Sequence, residues 1–466
     1  MRTTAPLIAV LCSFVTSATV AAQEQPTFDR FGGLNALTFE ASGFFRTQHD
    51  GERWWLVTPE GHAFLSVGVN CIHSQGDTDQ STRDNPYQKN VLAKYGSIEK
   101  WIEATRQRCQ EWGVNTLGAW SGGELCSQMP YAVQLGMAPS PWGSREKHQA
   151  PDFFEPSFAE HAKAAAAGVQ QYANDPMLLG YFLDNELPWA TDYRFGPNVF
   201  TSYVAFPANA PGKQELIRFF QERYQTIDQF RAVWDCPISD WPELAQVTRL
   251  QVQEPCQARK DREDFTLRVA RYFFKTATEA LRAADPNHLI LGCRFIWQTV
   301  PKAVVQACGE YCDVITINFY ESGPVLRPLL WAAPRFIPAM PNDPFHFRAY
   351  NALTNKPVMV TEFGFRALDS GLPCTYPPGW FVQPNLKTQE ERGRKYEAYV
   401  TSWAREPYFV GWHWFQYMDQ PKAGRFDGEN GNFGIVNVND DPYRDFVDRF
   451  TAANQRAWGL HGAPAR

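Results

Sequence analysis

Eight short apolar runs, alternating with stretches of helical spacing, constrain this 466-residue chain more than any other feature. They predict strands at residues 62–70, 113–118, 131–137, 178–186, 289–295, 314–320, 357–365 and 409–419. Strands that are apolar on both faces and alternate with helices form a parallel sheet covered by those helices. Eight of them in one chain predict an α/β fold of the closed (β/α)8, TIM-barrel type. An open doubly wound sheet would need a Gly-rich phosphate loop after its first strand, and Val67-Gly-Val-Asn-Cys-Ile-His73 is not one.

Local signals fill in the frame. Asp50-Gly51, between residues 44–49 and 52–57, predicts a β-hairpin ahead of the barrel. Ser97 before Ile98, Trp101, Ile102, Cys109 and Trp112 predicts a helix with one buried face. Ser157-Phe-Ala-Glu160 and Thr388-Gln-Glu-Glu391 have the spacing of capping boxes, in which hydroxyl and carboxylate satisfy the free N–H groups of a first turn. Further helices are expected over 212–234 and 261–284, the second stopped by Asp285-Pro-Asn. One connection is long: residues 187–260 form an insertion after the fourth strand, carrying Trp189, Tyr193, Phe195, Cys236 and Cys256. On a barrel it would stand over the strand C-termini and could wall a groove there; a packing subdomain is the plainer alternative. With no repeat, low-complexity tract or linker, residues 23–466 read as one domain.

Met1-Arg2, an apolar stretch from Ala5 to Val20 and the small pair Ala21-Ala22 have the build of a signal peptide over residues 1–22. That predicts a secreted or periplasmic protein with no membrane contact after cleavage. Loss of Arg2 takes the formal charge from −6 to −7. A mildly acidic chain without a basic run argues against nucleic acid or an anionic membrane as partner. Its 15% aromatic content suits a neutral ligand that stacks, as sugars do. Ten cysteines become nine, with Cys236–Cys256 or Cys308–Cys312 as local disulfide candidates. Cys308 and Cys312 lack a second Cys/His pair at ligand spacing, so no metal or other cofactor is expected. Nothing in the sequence bears on oligomeric state.

Two of the runs end on glutamate: Leu178-Leu-Gly-Tyr-Phe-Leu-Asp-Asn-Glu186 and Pro357-Val-Met-Val-Thr-Glu362. Barrel enzymes do their chemistry at strand C-termini, and strands four and seven lie across the mouth from each other. Two carboxyl groups about 5–5.5 Å apart are what retaining cleavage of a glycosidic bond requires. Alternation groups Glu362 with Val358 and Val360, and Glu186 with Gly180, Phe182 and Asp184, which makes Asp184 the rival acid. A lone glutamate past a strand usually starts a helix or is solvated. The flanks Asp184-Asn185-Glu186-Leu-Pro-Trp189 and Thr361-Glu362-Phe-Gly364 favour chemistry instead.

An Asn-Glu pair ending strand four with a Glu ending strand seven resembles the clan of (β/α)8 retaining glycosidases. More closely, Trp54-Trp-Leu-Val-Thr-Pro-Glu-Gly-His62, Phe64-Leu-Ser-Val-Gly-Val-Asn70, Gly180-Tyr-Phe-Leu-Asp-Asn-Glu186, His413-Trp-Phe-Gln416 and Asp427-Gly-Glu-Asn-Gly-Asn-Phe-Gly434 resemble glycoside hydrolase family 50, the β-agarases, over about residues 43–443. The resemblance implies a secreted retaining hydrolase of β-galactosidic linkages acting on a poly- or oligosaccharide. It implies Glu186 as acid/base, Glu362 as nucleophile, Asn185 on the substrate hydroxyl beside the reacting carbon, and Tyr320 holding the nucleophile. Arg294 could pair with a carboxylate or bridge the barrel wall. Asn70, His413, Trp414 (or Trp412) and Gln416 are the remaining candidate substrate contacts, the tryptophan as a platform under a sugar ring. His73 reads as structural. Residues 424–432 lack EF-hand spacing and read as a polar substrate or capping loop.

β-Agarases commonly carry a carbohydrate-binding-like domain ahead of the barrel, for which the short lead-in here leaves no room. A shorter galactoside or another β-glycan is therefore the alternative substrate, and an inactive carbohydrate-binding barrel the alternative function. A metal-dependent hydrolase would need a His/Asp cluster at strand ends, and the nine histidines are scattered singly.

Overall fold

The computed structural model describes residues 26–139, 149–191, 196–296, 299–320, 347–375, 383 and 385–462. The expected signal segment, Tyr193 and Phe195 lie outside the described residues. The chain first builds an antiparallel sheet of β1 (Leu34–Thr38), β2 (Arg46–His49), β3 (Trp54–Val57) and β4 (His62–Phe64), in the order β1-β4-β3-β2. Asp50 turns β2 into β3: its Oδ1 accepts the N–H groups of Glu52 and Arg53 at 2.9 and 2.8 Å. The run expected as one strand over 62–70 is divided. Its first part closes this sheet, and β5 (Ser66–Val69) enters the barrel.

The other barrel strands are β6 (Thr116–Leu117), β7 (Tyr131–Gln134) and β8 (Leu178–Phe182). After a ribbon of β9 (Trp234–Asp235) and β10 (Gln251–Val252) come β11 (Leu289–Ile290), β12 (Phe295–Ile296), β13 (Ile315–Asn318), β14 (Val358–Phe363) and β15 (Phe409–Trp414). Their order is β11-β8-β7-β6-β5-β15-β14-β13-β12, every pair parallel. The two ends of that order are halves of the single strand expected over 289–295. Between them, Gly292 O accepts from Leu183 N–H at 2.8 Å, while Arg294 N–H donates to Thr316 Oγ1 at 3.0 Å. One segment thus serves both edges, and the sheet curls back on itself as in a TIM-like barrel. Left-handed backbone at Gly292 (φ 80°) and Arg294 (φ 48°) kinks that segment into two short strands.

The core has two layers. Val358, Val360, Trp412 and Trp414 face outward and pack with Tyr396, Trp403, Phe446 and Phe450 of the helices Gln389–Ala404 and Arg444–Gly462. Phe182, Leu291, Met359 and Val410 fill the barrel interior and continue into Phe31, Phe45, Leu56 and Phe64, so the N-terminal sheet plugs one end. The opposite end, where the strands finish, is left for polar groups.

Helix starts follow local chemistry, with three departures from expectation. Ser97 accepts from Lys100 N–H and Thr388 from Glu391 N–H, as their spacing predicts. Ser157 is not a cap; the helix Pro156–Ala167 starts one residue earlier because Pro156 occupies its first position. The helix expected over 212–234 breaks into Pro211–Arg223 and Ile227–Arg231, where Thr226 and Gln229 form a capping box. The one expected over 261–284 starts at Pro255 with Glu254 as cap. Within the insertion, Phe200 packs with Phe220 and Trp234 and against Phe265 of this long helix. Buried Asp261 ties the insertion down, accepting from Trp234 Nε1 at 2.8 Å and Tyr224 Oη at 2.6 Å. The described insertion therefore docks on an outer helix, and Trp189 is buried between Phe273 and Phe153.

Neither disulfide candidate forms: Cys236, Cys256, Cys308 and Cys312 are all free. Cys308 lies in the helix Lys302–Tyr311 and Cys312 caps it. Side chains four apart on a helix hold their Cβ atoms about 5–6 Å apart, too far for an S–S bridge. Among the described residues no helix is long and apolar enough to cross a membrane.

Candidate active site

At the mouth of the barrel, β14 delivers Glu362. Alternation alone would not aim it inward, because Val358 and Val360 face the helices and Met359 faces the interior. A register irregularity between Val360 and Phe363 resets the pleat and turns Glu362 into the barrel beside Asn318. There its Oε2 accepts from Arg294 Nη2 at 2.5 Å and Asn318 Nδ2 at 3.3 Å, and its Oε1 from Tyr320 Oη at 2.6 Å. Burial pushes the Glu362 carboxyl up from its ordinary value, and the Arg294 charge and Tyr320 hydroxyl pull it back toward ionisation. Burial, then the Glu362 charge, lifts the Tyr320 phenol well above its usual value, which keeps it a neutral donor.

Arg294 is fully buried. Its Nη2 also donates to Thr361 O at 3.1 Å, the carbonyl that Asn70 Nδ2 reaches at 3.0 Å. Asn70 and Arg294 therefore hold the peptide just ahead of Glu362. Among the described residues Arg294 Nε and Nη1 have no hydrogen-bond partner, and the guanidinium lies over the Trp120 ring at 4.2 Å and the Phe182 ring at 5.4 Å. Aromatic faces thus stand in for acceptors.

Glu186 is placed differently. Strand β8 ends at Phe182, short of the expected 186, and Glu186 takes a left-handed φ of 51° in the turn beyond it. Its Oε1 accepts from Asn318 Nδ2 at 3.1 Å, and Asn185 Oδ1 accepts from the same nitrogen at 3.0 Å. Asp184 is buried away from this cluster. It accepts from Ala138 N–H at 3.1 Å, and burial pushes its carboxyl well above the ordinary range.

Of the other candidates, Gln416 is buried at the end of β15 and donates to Asp77 Oδ2 at 3.1 Å and Met418 O at 2.9 Å. Trp414 and His413 are corrections. Trp414 is fully buried, with Nε1 on Phe433 O at 2.9 Å, because β15 alternates and 412 and 414 point to the helices. His413 points inward but below the mouth, bonded to Ser66 Oγ at 2.8 Å in space that Gly68 leaves open. Burial brings its imidazole down to about 3, so it stays neutral.

Sequence reasoning missed two residues. Asn318 looks like one more strand residue in Ile-Thr-Ile-Asn, yet it touches both glutamates. Trp120, in the turn after β6, has a left-handed φ of 59° and 41% exposure while lying on Arg294. A non-glycine residue in that conformation with an open indole face is a functional signal, but only the backbone reveals it. The 424–432 loop also reaches the site: partly buried Arg425 pairs with Glu429 at 2.7 Å and with Asp427 at 2.9 Å, and both Arg425 and Glu429 act on the Glu362 charge. Among the described residues, Asp29, Glu60 and His62 could together approach a cation, but they sit in the N-terminal sheet. Asp29 is already committed to His62, Thr58 and two backbone N–H groups.

Known proteins resemble this chain along most of its length. Residues 136–333 match the sequence model of a β-galactosidase family, glycoside hydrolase family 42. β-Agarase A of Vibrio sp. (strain JT0107) is 29% identical over 88% of this chain and 45% of its own length; β-agarase B of the same source is 26% identical over 94% and 51%. The chain thus spans about half the length of these curated relatives. Among solved structures, the agarase AgWH50C superposes with a TM-score of 0.79 at 26% identity, over 94% of this chain and 68% of that one. PfGH50B gives 0.78 at 27% identity, over 94% and 70%, and an exo-β-agarase 0.76 at 26%, over 94% and 69%. In sequence and in barrel architecture, then, the chain is glycoside hydrolase family 50-like, resembling the β-agarases and the barrel glycosidases.

Proposed function

We propose that this chain is a retaining glycoside hydrolase that cleaves β-galactosidic linkages, with Glu362 as nucleophile and Glu186 as acid/base. One observation carries the reading. A single nitrogen, Asn318 Nδ2, lies 3.1 Å from a Glu186 oxygen and 3.3 Å from a Glu362 oxygen. Those oxygens are therefore at most about 6.4 Å apart, which puts both carboxyl groups within reach of one glycosidic bond and favours the short spacing of a retaining pair.

The chemistry follows from the surroundings. Ionised Glu362, held by Arg294 and Tyr320, attacks the anomeric carbon while Glu186 gives its proton to the departing oxygen. The ester so formed has no charge. Glu186, now ionised, takes a proton from water, the hydroxide displaces Glu362 from the anomeric carbon, and both groups return to their first states. Asn185 is a donor for the hydroxyl beside the reacting carbon, and the open face of Trp120 a platform for the ring. The β-galactosidase family match also supports a β-galactoside as substrate.

The test is to incubate the purified chain with agarose, agaro-oligosaccharides and other β-galactosides and β-glycans, and to follow product anomers by NMR. First-formed β product supports retention; α product rules it out, and silence across the panel rules out the activity. An export reading for residues 1–22 predicts an N-terminus at Gln23 in protein recovered from the medium or periplasm.

A further inference from the structure

We infer that Asn318 is a positioning residue whose amide serves whichever of the two glutamates carries the negative charge at each half of the reaction. The inference rests on the two glutamates having the roles proposed above. In that cycle the pair holds one negative charge throughout. It sits on Glu362 before attack and on Glu186 in the ester intermediate, and it returns to Glu362 on hydrolysis. A donor bound to only one carboxylate would favour one half of the cycle and penalise the other.

Asn318 is built to avoid that imbalance. Its Nδ2 has two hydrogens and three oxygens in reach: Asn185 Oδ1 at 3.0 Å, Glu186 Oε1 at 3.1 Å and Glu362 Oε2 at 3.3 Å. Two hydrogens cannot satisfy three acceptors at full strength, so the bonds move with the charge. The amide is held the right way round by Thr361, whose hydroxyl donates to Asn318 Oδ1 at 3.3 Å. A flipped amide would set its oxygen against two carboxylates. Asn318 is 1% exposed and lies at the tip of β13, opposite Glu362 in register, so little reorganisation is needed when the charge moves.

The other groups around the pair weigh more on one side. Arg294, Tyr320, Arg425 and Glu429 all act on Glu362, and Arg294 and Tyr320 also interact with the Glu186 charge, whereas Asn318 hydrogen-bonds an oxygen of each glutamate. Removing the amide should therefore raise the proton affinity of both glutamates, not of one. In a retaining cycle the acid limb of kcat/KM reports the nucleophile and the basic limb the acid/base.

The deciding experiment compares wild-type protein with Asn318→Ala and Asn318→Ser. Carboxyl titrations are followed by 13C NMR on glutamate-labelled protein, with the two signals assigned from Glu186→Gln and Glu362→Gln. Asn318→Ala is expected to move both titration midpoints upward by about one unit each. Both limbs of the pH–rate profile should follow, with kcat falling about tenfold to a hundredfold. Asn318→Ser, which keeps a short donor, should recover part of each shift. Movement of one midpoint alone, or of neither in a variant that melts like wild type, overturns the inference. Because the titration needs no substrate, it stands apart from the glycan panel, whose failure would strike the proposed activity and not the shared amide.

Discussion

The two glutamates invite comparison because they share a residue type and almost nothing else. Glu362 sits inside strand β14, 8% exposed, gripped by a buried guanidinium, a phenol and an amide. Glu186 sits half-buried in a turn with left-handed backbone, four residues past the end of its strand. The first arrangement suits a group that must be ionised and fixed on attack. The second suits a group that must exchange a proton with solvent-derived water. Environment, not identity, divides the labour.

The largest test of that division removes each carboxylate. Glu362→Gln should cost about 10⁴-fold or more in kcat for every substrate, since no covalent intermediate can form. Glu186→Gln should cost about 10²–10⁴-fold on natural linkages but far less on aryl glycosides whose leaving group needs no proton. Azide should sharpen the contrast. With Glu186→Ala it attacks the ester and gives a β-azide, whereas with Glu362→Ala it takes the nucleophile's place and gives an α-azide. Identical azide products from the two variants would erase the distinction.

Next is Arg294, which hydrogen-bonds Glu362 and also interacts with the Glu186 charge. Its charge lowers the proton affinity of Glu362, so its loss must raise it further. Arg294→Met should move the acid limb of kcat/KM to higher pH by about one to three units, move the basic limb by less in the same direction, and cut kcat about a hundredfold. Equal movement of both limbs would mean that the guanidinium serves both glutamates alike.

Two tryptophans separate binding from packing. Trp120→Ala should raise KM roughly tenfold, with Trp120→Phe intermediate. Trp414→Phe, in the outer core, should leave KM alone and cost about 1–3 kcal/mol of stability by denaturant unfolding. Reversal of that pattern would return the platform to β15.

The smallest effect belongs to His413. In the folded state its imidazole resists protonation down to about 3, against an ordinary value of 6.5. The unfolded chain therefore binds a proton that the native state refuses. This contribution is fully present above pH 6.5 and is lost as pH falls from there toward 3. At pH 5 the loss is about 2 kcal/mol, and His413→Gln should remove that part of the slope. An unchanged slope in the variant would place the acid sensitivity elsewhere.

Much of this was legible in the chain, unevenly. The barrel strands, Glu186 and Glu362 as candidates and the Ser97 and Thr388 caps follow from residues near one another in sequence. Arg294 and Tyr320 were found because each ends an apolar run. Trp414 and His413 misled for the same reason: a strand rich in aromatics does not announce which face is wet. The alternation that seemed to aim Glu362 inward pointed the wrong way until the irregularity after Val360 corrected it. Cys308 and Cys312 looked close because sequence distance hides the helix between them.

By itself, then, the sequence determined the element types, their alternation and the carboxylates at two strand ends, because hydrophobic periodicity and turn chemistry act over a few residues. Only the tertiary structure decided which side chains share the mouth. Asn318 meets Glu186 across 132 positions, and Arg294 meets Glu362 across 68. Such contacts depend on barrel closure, on a reset in one strand and on left-handed backbone at Trp120, Glu186 and Arg294. Those are properties of packing between distant segments, which no local window of residues encodes.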